Sequence, residues 1–95
     1  MKVGKIVDAE KVVGSKNLMK LIIDLGEATK QSIAAIGDRY ETEQLKSKLV
    51  AVVTNLKPRK IFGLESEVMI LAALDDSNIS ILHPDKQVRS GSKIS

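Results

Sequence analysis

The sequence predicts an all-β protein built as a small barrel, on three observations. Its apolar residues fall in short runs, many of them β-branched, separated by Gly, Pro, Asn and Asp. One short stretch of helical character, Glu41–Lys46, lies between the third and fourth runs. The chain has 95 residues and no Cys, enough for one modest core and too little for two domains without staples.

The elements follow in order. Val3–Ala9 opens with Val3, Ile6 and Val7 and reads as the first strand. Val12–Asn17 holds Gly14, Ser15 and Asn17, which is turn chemistry. Leu18–Leu25 is the second strand; Leu21, Ile22, Ile23 and Leu25 are nearly continuous, so part of it is expected to be buried on both faces. Lys30–Ile36 is the third, closed by Gly37-Asp38. Thr42 is the expected N-cap of a helix of one or two turns, with Glu43 at its positive end. Lys48–Thr54 and Val68–Leu74 form the fourth and fifth strands. Ile79–Leu82 is a further short strand stopped by His83-Pro84, and Val88–Ile94 is a Gly/Ser-containing tail with a last strand near Lys93-Ile94. A helix in the crossover from strand three to strand four favours an OB-fold, a five-stranded barrel, over a sandwich. The expectation is one domain over residues 1–95, with a C-terminal extension.

Between the fourth and fifth strands runs Asn55-Leu56-Lys57-Pro58-Arg59-Lys60-Ile61-Phe62-Gly63-Leu64-Glu65-Ser66. Lys57, Arg59 and Lys60 stand within four positions, with no acid until Glu65. Such a lone run is more often a solvated loop than a phosphate site, and the net charge of +3 permits an anionic partner without requiring one. In an extended chain Arg59 and Lys60 point to opposite sides. Tyr40 and Phe62 are the only aromatics, so a base-stacking platform of several rings is excluded. Phe62 reads equally as a stacking ring or as an anchor for the loop, and Met69 at strand spacing reads as core more readily than as a contact. Ser66 lacks a base beside it, because His83 is the only His and lies far along the chain; no catalytic residue, cofactor site or metal site is expected. No apolar run approaches the ~20 residues of a membrane span. A soluble, cytoplasmic protein is expected.

Several blocks stand in a familiar order: Val3-Gly4-Lys5-Ile6-Val7, Leu25-Gly26-Glu27, Asn55-Leu56-Lys57-Pro58, Gly63-Leu64-Glu65-Ser66, Met69 and Ala72-Ala73. Together they resemble the tRNA-binding domain at the C-terminus of bacterial methionyl-tRNA synthetases and its stand-alone versions. The likeness covers nearly the whole chain, and the block from Asn55 to Ser66 is its specific part. It implies an OB-fold homodimer that binds tRNA by shape, with contacts at Asn55, Lys57, Ser66 and Met69; Arg59 and Lys60 join them on charge. It also implies an accessory role beside a separate methionyl-tRNA synthetase catalytic subunit. Related dimers associated with chaperone activity supply the alternative, a protein-binding module. The chain departs from the family pattern at Val12–Asn17, where members carry His-Pro-Asn-Ala-Asp-Lys, and at Glu67-Val68, where they carry Gln-Gly. It departs again at Arg89-Ser90, in place of Pro-Pro. Uncovered strand edges with Ile79, Ile81, Leu82 and Ile94 are the expected dimer contacts.

Overall fold

The computed structural model describes residues 1–95. Its first strand, β1 (Lys2–Lys11), is the longest and organises the rest. β1 pairs antiparallel with β2 (Met19–Asp24), which pairs in turn with β3 (Thr29–Ala34). On its other edge, Lys2–Lys5 of β1 pairs with β4 (Leu49–Val53). A bulge makes this double use possible: Ile6 faces Ile23 and Asp8 faces Ile22, so Val7 is left over and stands outside. The extra residue bends and twists the strand, which curls a flat sheet toward a barrel. Gly4 sits at the crossing, where a Cβ would collide with the Ile23 side chain. Glycine is therefore required there for space.

The second strand alternates buried and half-buried residues, so its near-continuous apolar run is not buried on both faces as expected. Met19, Leu21 and Ile23 point into the core, while Ile22 takes the outer face. The third strand ends at Ala34, two residues early, because Gly37 N–H turns back to donate to the Asn17 carbonyl at 2.7 Å.

The helix α1 (Thr42–Leu45) is a single turn. Its N-cap is Glu41, not Thr42 as the sequence suggested: Gln44, three residues on, accepts the Glu41 N–H through its side chain at 2.7 Å. Leu45 is the one buried residue of the turn, and it is fully enclosed by the core. Ahead of the helix, the Tyr40 hydroxyl accepts the Ile81 N–H at 3.1 Å and ties this crossover to the far end of the chain.

The expected fifth strand, Val68–Leu74, is two strands. β7 (Met69–Ile70) pairs with β4 and completes the five-stranded order β3-β2-β1-β4-β7. The chain then leaves that ladder at Leu71, and β8 (Ala72–Leu74) forms a hairpin with β9 (Ile79–Ile81). Ala51 of β4 is the branch point: its carbonyl accepts from Leu71, and its N–H donates to Leu82, each at 3.0 Å. Before β7, the basic stretch forms its own hairpin of β5 (Arg59–Ile61) and β6 (Leu64–Ser66), where an irregular loop was expected.

Twelve side chains from these strands and α1, with Leu25, Ile36 and Val68 between them, make one core, with Ile6, Leu21, Ile23, Val50 and Val52 at its centre. Ile81 belongs to it, so this residue is covered by its own chain and is not available to a second copy. The tail folds back on the start of β1. Val3 N–H donates to Ser92 O at 2.8 Å, Gly91 N–H to Val3 O at 2.7 Å, and Lys93 bridges to Lys2. The last predicted strand is thus an isolated bridge that covers the N-terminal edge of β1. No helix is long and apolar enough to cross a membrane.

Candidate nucleic-acid interface

The barrel seam and the basic hairpin are built by the same residues. Glu67 N–H donates to Gln31 O at 2.8 Å, and Gln31 N–H donates to the Glu67 carboxylate at 3.0 Å. One residue earlier, Ser66 Oγ accepts the Ile33 N–H at 3.1 Å and donates to Val68 O at 3.2 Å. Side chains thus supplement a single backbone bond between β3 and the 66–67 segment. Glu67 also stands 3.7 Å from Lys30. The negative charge that marks this departure from the family pattern is neutralised by a cation and spent on the seam.

From this anchored end the hairpin projects outward. Phe62 and Gly63 take φ of 55° and 79°, the two left-handed positions of a tight hairpin turn. For Phe62 the conformation is strained, by about 1–2 kcal/mol. The ring offsets this by packing on the Val12–Gly14 turn: a Cβ on Gly14 would lie 3.4 Å from it. Phe62 nonetheless stays 58 % exposed, so one side anchors and the other faces solvent.

Strand alternation sorts the cations. Arg59 pairs opposite Ser66, and Lys60 opposite Glu65. Arg59 and Ile61 therefore share a face, and Lys60 takes the other. Lys57, Arg59, Ser66 and Met69 converge with Leu56 and Ile61 around a cavity of about 310 Å³. Four of the six sequence-predicted site residues are thereby brought together. Asn55 and Lys60 are exposed and lie off this cavity. Ser66 lines it while 6 % exposed and with its hydroxyl engaged on both sides, so it shapes the wall. Met69 is 48 % exposed and forms an open apolar rim, which is not the core position that its spacing suggested.

None of the six ion pairs involves Lys57, Arg59 or Lys60. Five other lysines, at 2, 11, 20, 30 and 46, are paired with acids. These three cations are thus free to meet an anion, as are Lys5, Lys16, Arg39, Lys48, Lys86, Arg89 and Lys93, which also stand outside every ion pair. Leu56 and Ile61 complete the cavity and were not singled out in the sequence, where their apolar character carries no distinguishing signal. Past Ile61 and Met69 the surface continues into an apolar trough of about 480 Å³ between the ends of β3 and the β7–β8 segment. His83 lines a different, polar groove with Ser47 and Lys86, so no base stands by Ser66. No three His, Asp or Glu side chains converge in a way that could hold a metal ion.

Known proteins resemble the chain over nearly its whole length. The family model for a tRNA binding domain matches residues 1–93. Methionine–tRNA ligase of Archaeoglobus fulgidus is 45 % identical over 94 residues, which are 99 % of this chain and 14 % of the ligase. The Thermotoga maritima ligase is 42 % identical over 95 residues, 100 % of this chain and 15 % of that protein. This chain thus spans a small fraction of the synthetases it resembles. Among solved structures, a MetRS-related protein from Pyrococcus horikoshii superposes with a TM-score of 0.92 at 34 % identity, covering 99 % of this chain and 87 % of that one. The chaperone CsaA from Bacillus anthracis superposes with a TM-score of 0.89 at 32 % identity, covering 99 % and 88 %. The OB-like barrel and these matches lead to one assignment: the chain belongs to the tRNA-binding domain family and is homologous to the tRNA-binding domain of methionine–tRNA ligases.

Proposed function

We propose that residues 1–95 act as one non-catalytic module that binds tRNA through the basic hairpin and assists a separate methionyl-tRNA synthetase by raising its hold on tRNA. The observation that carries this reading is the arrangement of Lys57 and Arg59. Both stand outside every ion pair and both face one cavity; Arg59 opens a hairpin pinned at its base by Ser66 and Glu67 and near its tip by Phe62, and Lys57 lies two residues ahead of it. Phosphate contacts from such cations supply sequence-independent affinity, as recognition of tRNA by shape requires. Asn55 and Lys60 extend the contact along exposed surface, Met69 offers an apolar rim, and Ser66 holds the wall. The similarity to methionine–tRNA ligases supports the choice of synthetase, and the cytoplasm is where synthetase and tRNA meet. Two copies pairing through exposed Leu82 and half-buried Ile94 would set two hairpins on one assembly.

A protein-binding module is the second reading. The apolar trough and the likeness to the CsaA chaperone favour it. A gel-shift titration with bulk tRNA, with unfolded polypeptide as competitor, separates the two. The tRNA reading expects a retarded complex that the polypeptide does not displace. A complex that polypeptide displaces at equal mass, or no complex at all, contradicts it.

A further inference from the structure

We propose that the apolar trough beside the basic hairpin is a receptor for one unpaired nucleobase, whose phosphate Lys57 and Arg59 hold. The inference deepens the tRNA-binding reading and rests on it.

Ser32 supplies the starting observation. It is 1 % exposed, its Oγ has no hydrogen-bond partner, and it lines the trough. Every other residue of that lining is apolar, with Ile33, Ile61, Met69, Ile70 and Leu74 among them. A buried hydroxyl without a partner carries its desolvation penalty unrelieved, and such groups in a native fold are uncommon. An alanine at this position is therefore expected to stabilise the free protein. A ligand that brings a donor or acceptor to Ser32 removes the penalty.

The neighbourhood defines that ligand. Ile61 and Met69 are shared by the trough and the cationic cavity, so one molecule can occupy both. Its anionic end belongs between Lys57 and Arg59, where guanidinium and ammonium suit phosphate oxygens. Its body must be apolar on its faces to lie among Ile33, Ile61 and Ile70, and its far edge must be polar to satisfy Ser32. A fatty acid meets the first two demands and fails the third. A nucleotide meets all three. The Met69 thioether, 48 % exposed at the entrance, suits the face or edge of an aromatic ring. The serine hydroxyl both donates and accepts, so it tolerates any base and adds little selectivity among them. One sequestered base also answers the scarcity of aromatic rings: an RNA that splays a base out of its fold needs a single slot, not a stacking row.

The test uses isotope-labelled full-length protein titrated with adenosine 5′-monophosphate and, separately, with ribose 5-phosphate, beside a bulk-tRNA gel shift. Adenosine monophosphate is expected to shift the Met69, Ile33 and Ile70 methyl signals together with the Lys57 and Arg59 amides. Ribose 5-phosphate is expected to shift the amides alone. Ser32→Ala is expected to raise the melting temperature and to weaken adenosine monophosphate about fivefold, the loss of one hydrogen bond. It should leave ribose 5-phosphate unchanged. A merely structural serine would move stability without moving that difference, and this result overturns the role given to Ser32. Equal footprints for the two probes with tRNA binding intact overturn the base receptor and leave the tRNA reading standing. Absence of tRNA binding overturns both. Methyl shifts produced by an unfolded polypeptide and not by the nucleotide make the trough a peptide groove and likewise overturn the proposal.

Discussion

Lys57 and Arg59 face the cavity, while Lys60 stands across the hairpin from Glu65. Lys57→Ala and Arg59→Ala are therefore expected to weaken bulk-tRNA binding, and Lys60→Ala to be nearly silent, in parallel fluorescence titrations. Ser66 behaves differently. Ser66→Ala strips the Ile33 N–H and the Val68 carbonyl of their partners inside the protein. The expected cost is about 1–3 kcal/mol of stability, read by urea unfolding. Affinity for tRNA measured where the variant is folded should stay close to wild type. The cations of the site were legible in the sequence because three of four consecutive positions carry them. The role of Ser66 was not. Its partner Ile33 stands 33 residues away, and Glu67 reaches 36 residues back to Gln31. Only the fold brings such pairs together.

The hairpin β5–β6 is the element on which the account depends. Each of its strands has three residues, too few for alternation to announce them, although Gly63 after Phe62 is the sequence mark of a tight turn. The larger strands were legible because their apolar residues fall in short runs, many β-branched, bounded by turn residues. The helix cap was misplaced by one residue, since Gln44 selects Glu41 three positions before it. The break at Leu71 was hidden because its cause is Ala51, which exchanges one partner strand for another. Phe62→Asn keeps a residue suited to positive φ and removes the ring. Amide exchange across residues 59–66 should quicken, with little change in the rest of the barrel. Unchanged exchange would show that the ring does not pin the hairpin. In the β8–β9 turn, Asp75 accepts the Ser77 and then the Asn78 backbone N–H, which holds its carboxyl below the ordinary value of 3.8. A depressed folded pKa contributes stability above the unfolded value, and this is lost as pH falls through the folded one. Exchange protection of the Ser77 and Asn78 amides should thus persist above about pH 4 and fade below it. In Asp75→Asn it should lose this pH dependence.

At the scale of the whole molecule, net charge and site charge must be told apart. With a net charge of +3, any polyanion is attracted weakly, and diffuse attraction mimics a site in a simple binding assay. The sequence showed where the cations cluster, but not that Lys57 and Arg59 stay outside every ion pair and turn to one cavity while Lys60 does not. That distinction comes from packing. If the hairpin is the site, folded tRNA should bind more tightly than poly-U of equal length, because few rings are present to stack a single strand. The most direct test is the salt dependence of bulk-tRNA binding for Lys57→Ala set against Lys86→Ala, which removes the same charge from the separate polar groove. Lys57→Ala should weaken binding and flatten the log–log slope by about 0.7 to 0.9, the loss of one phosphate contact. Lys86→Ala should leave both near wild type. Equal losses in affinity and slope from the two variants would contradict a localised site and leave only general attraction to a basic protein.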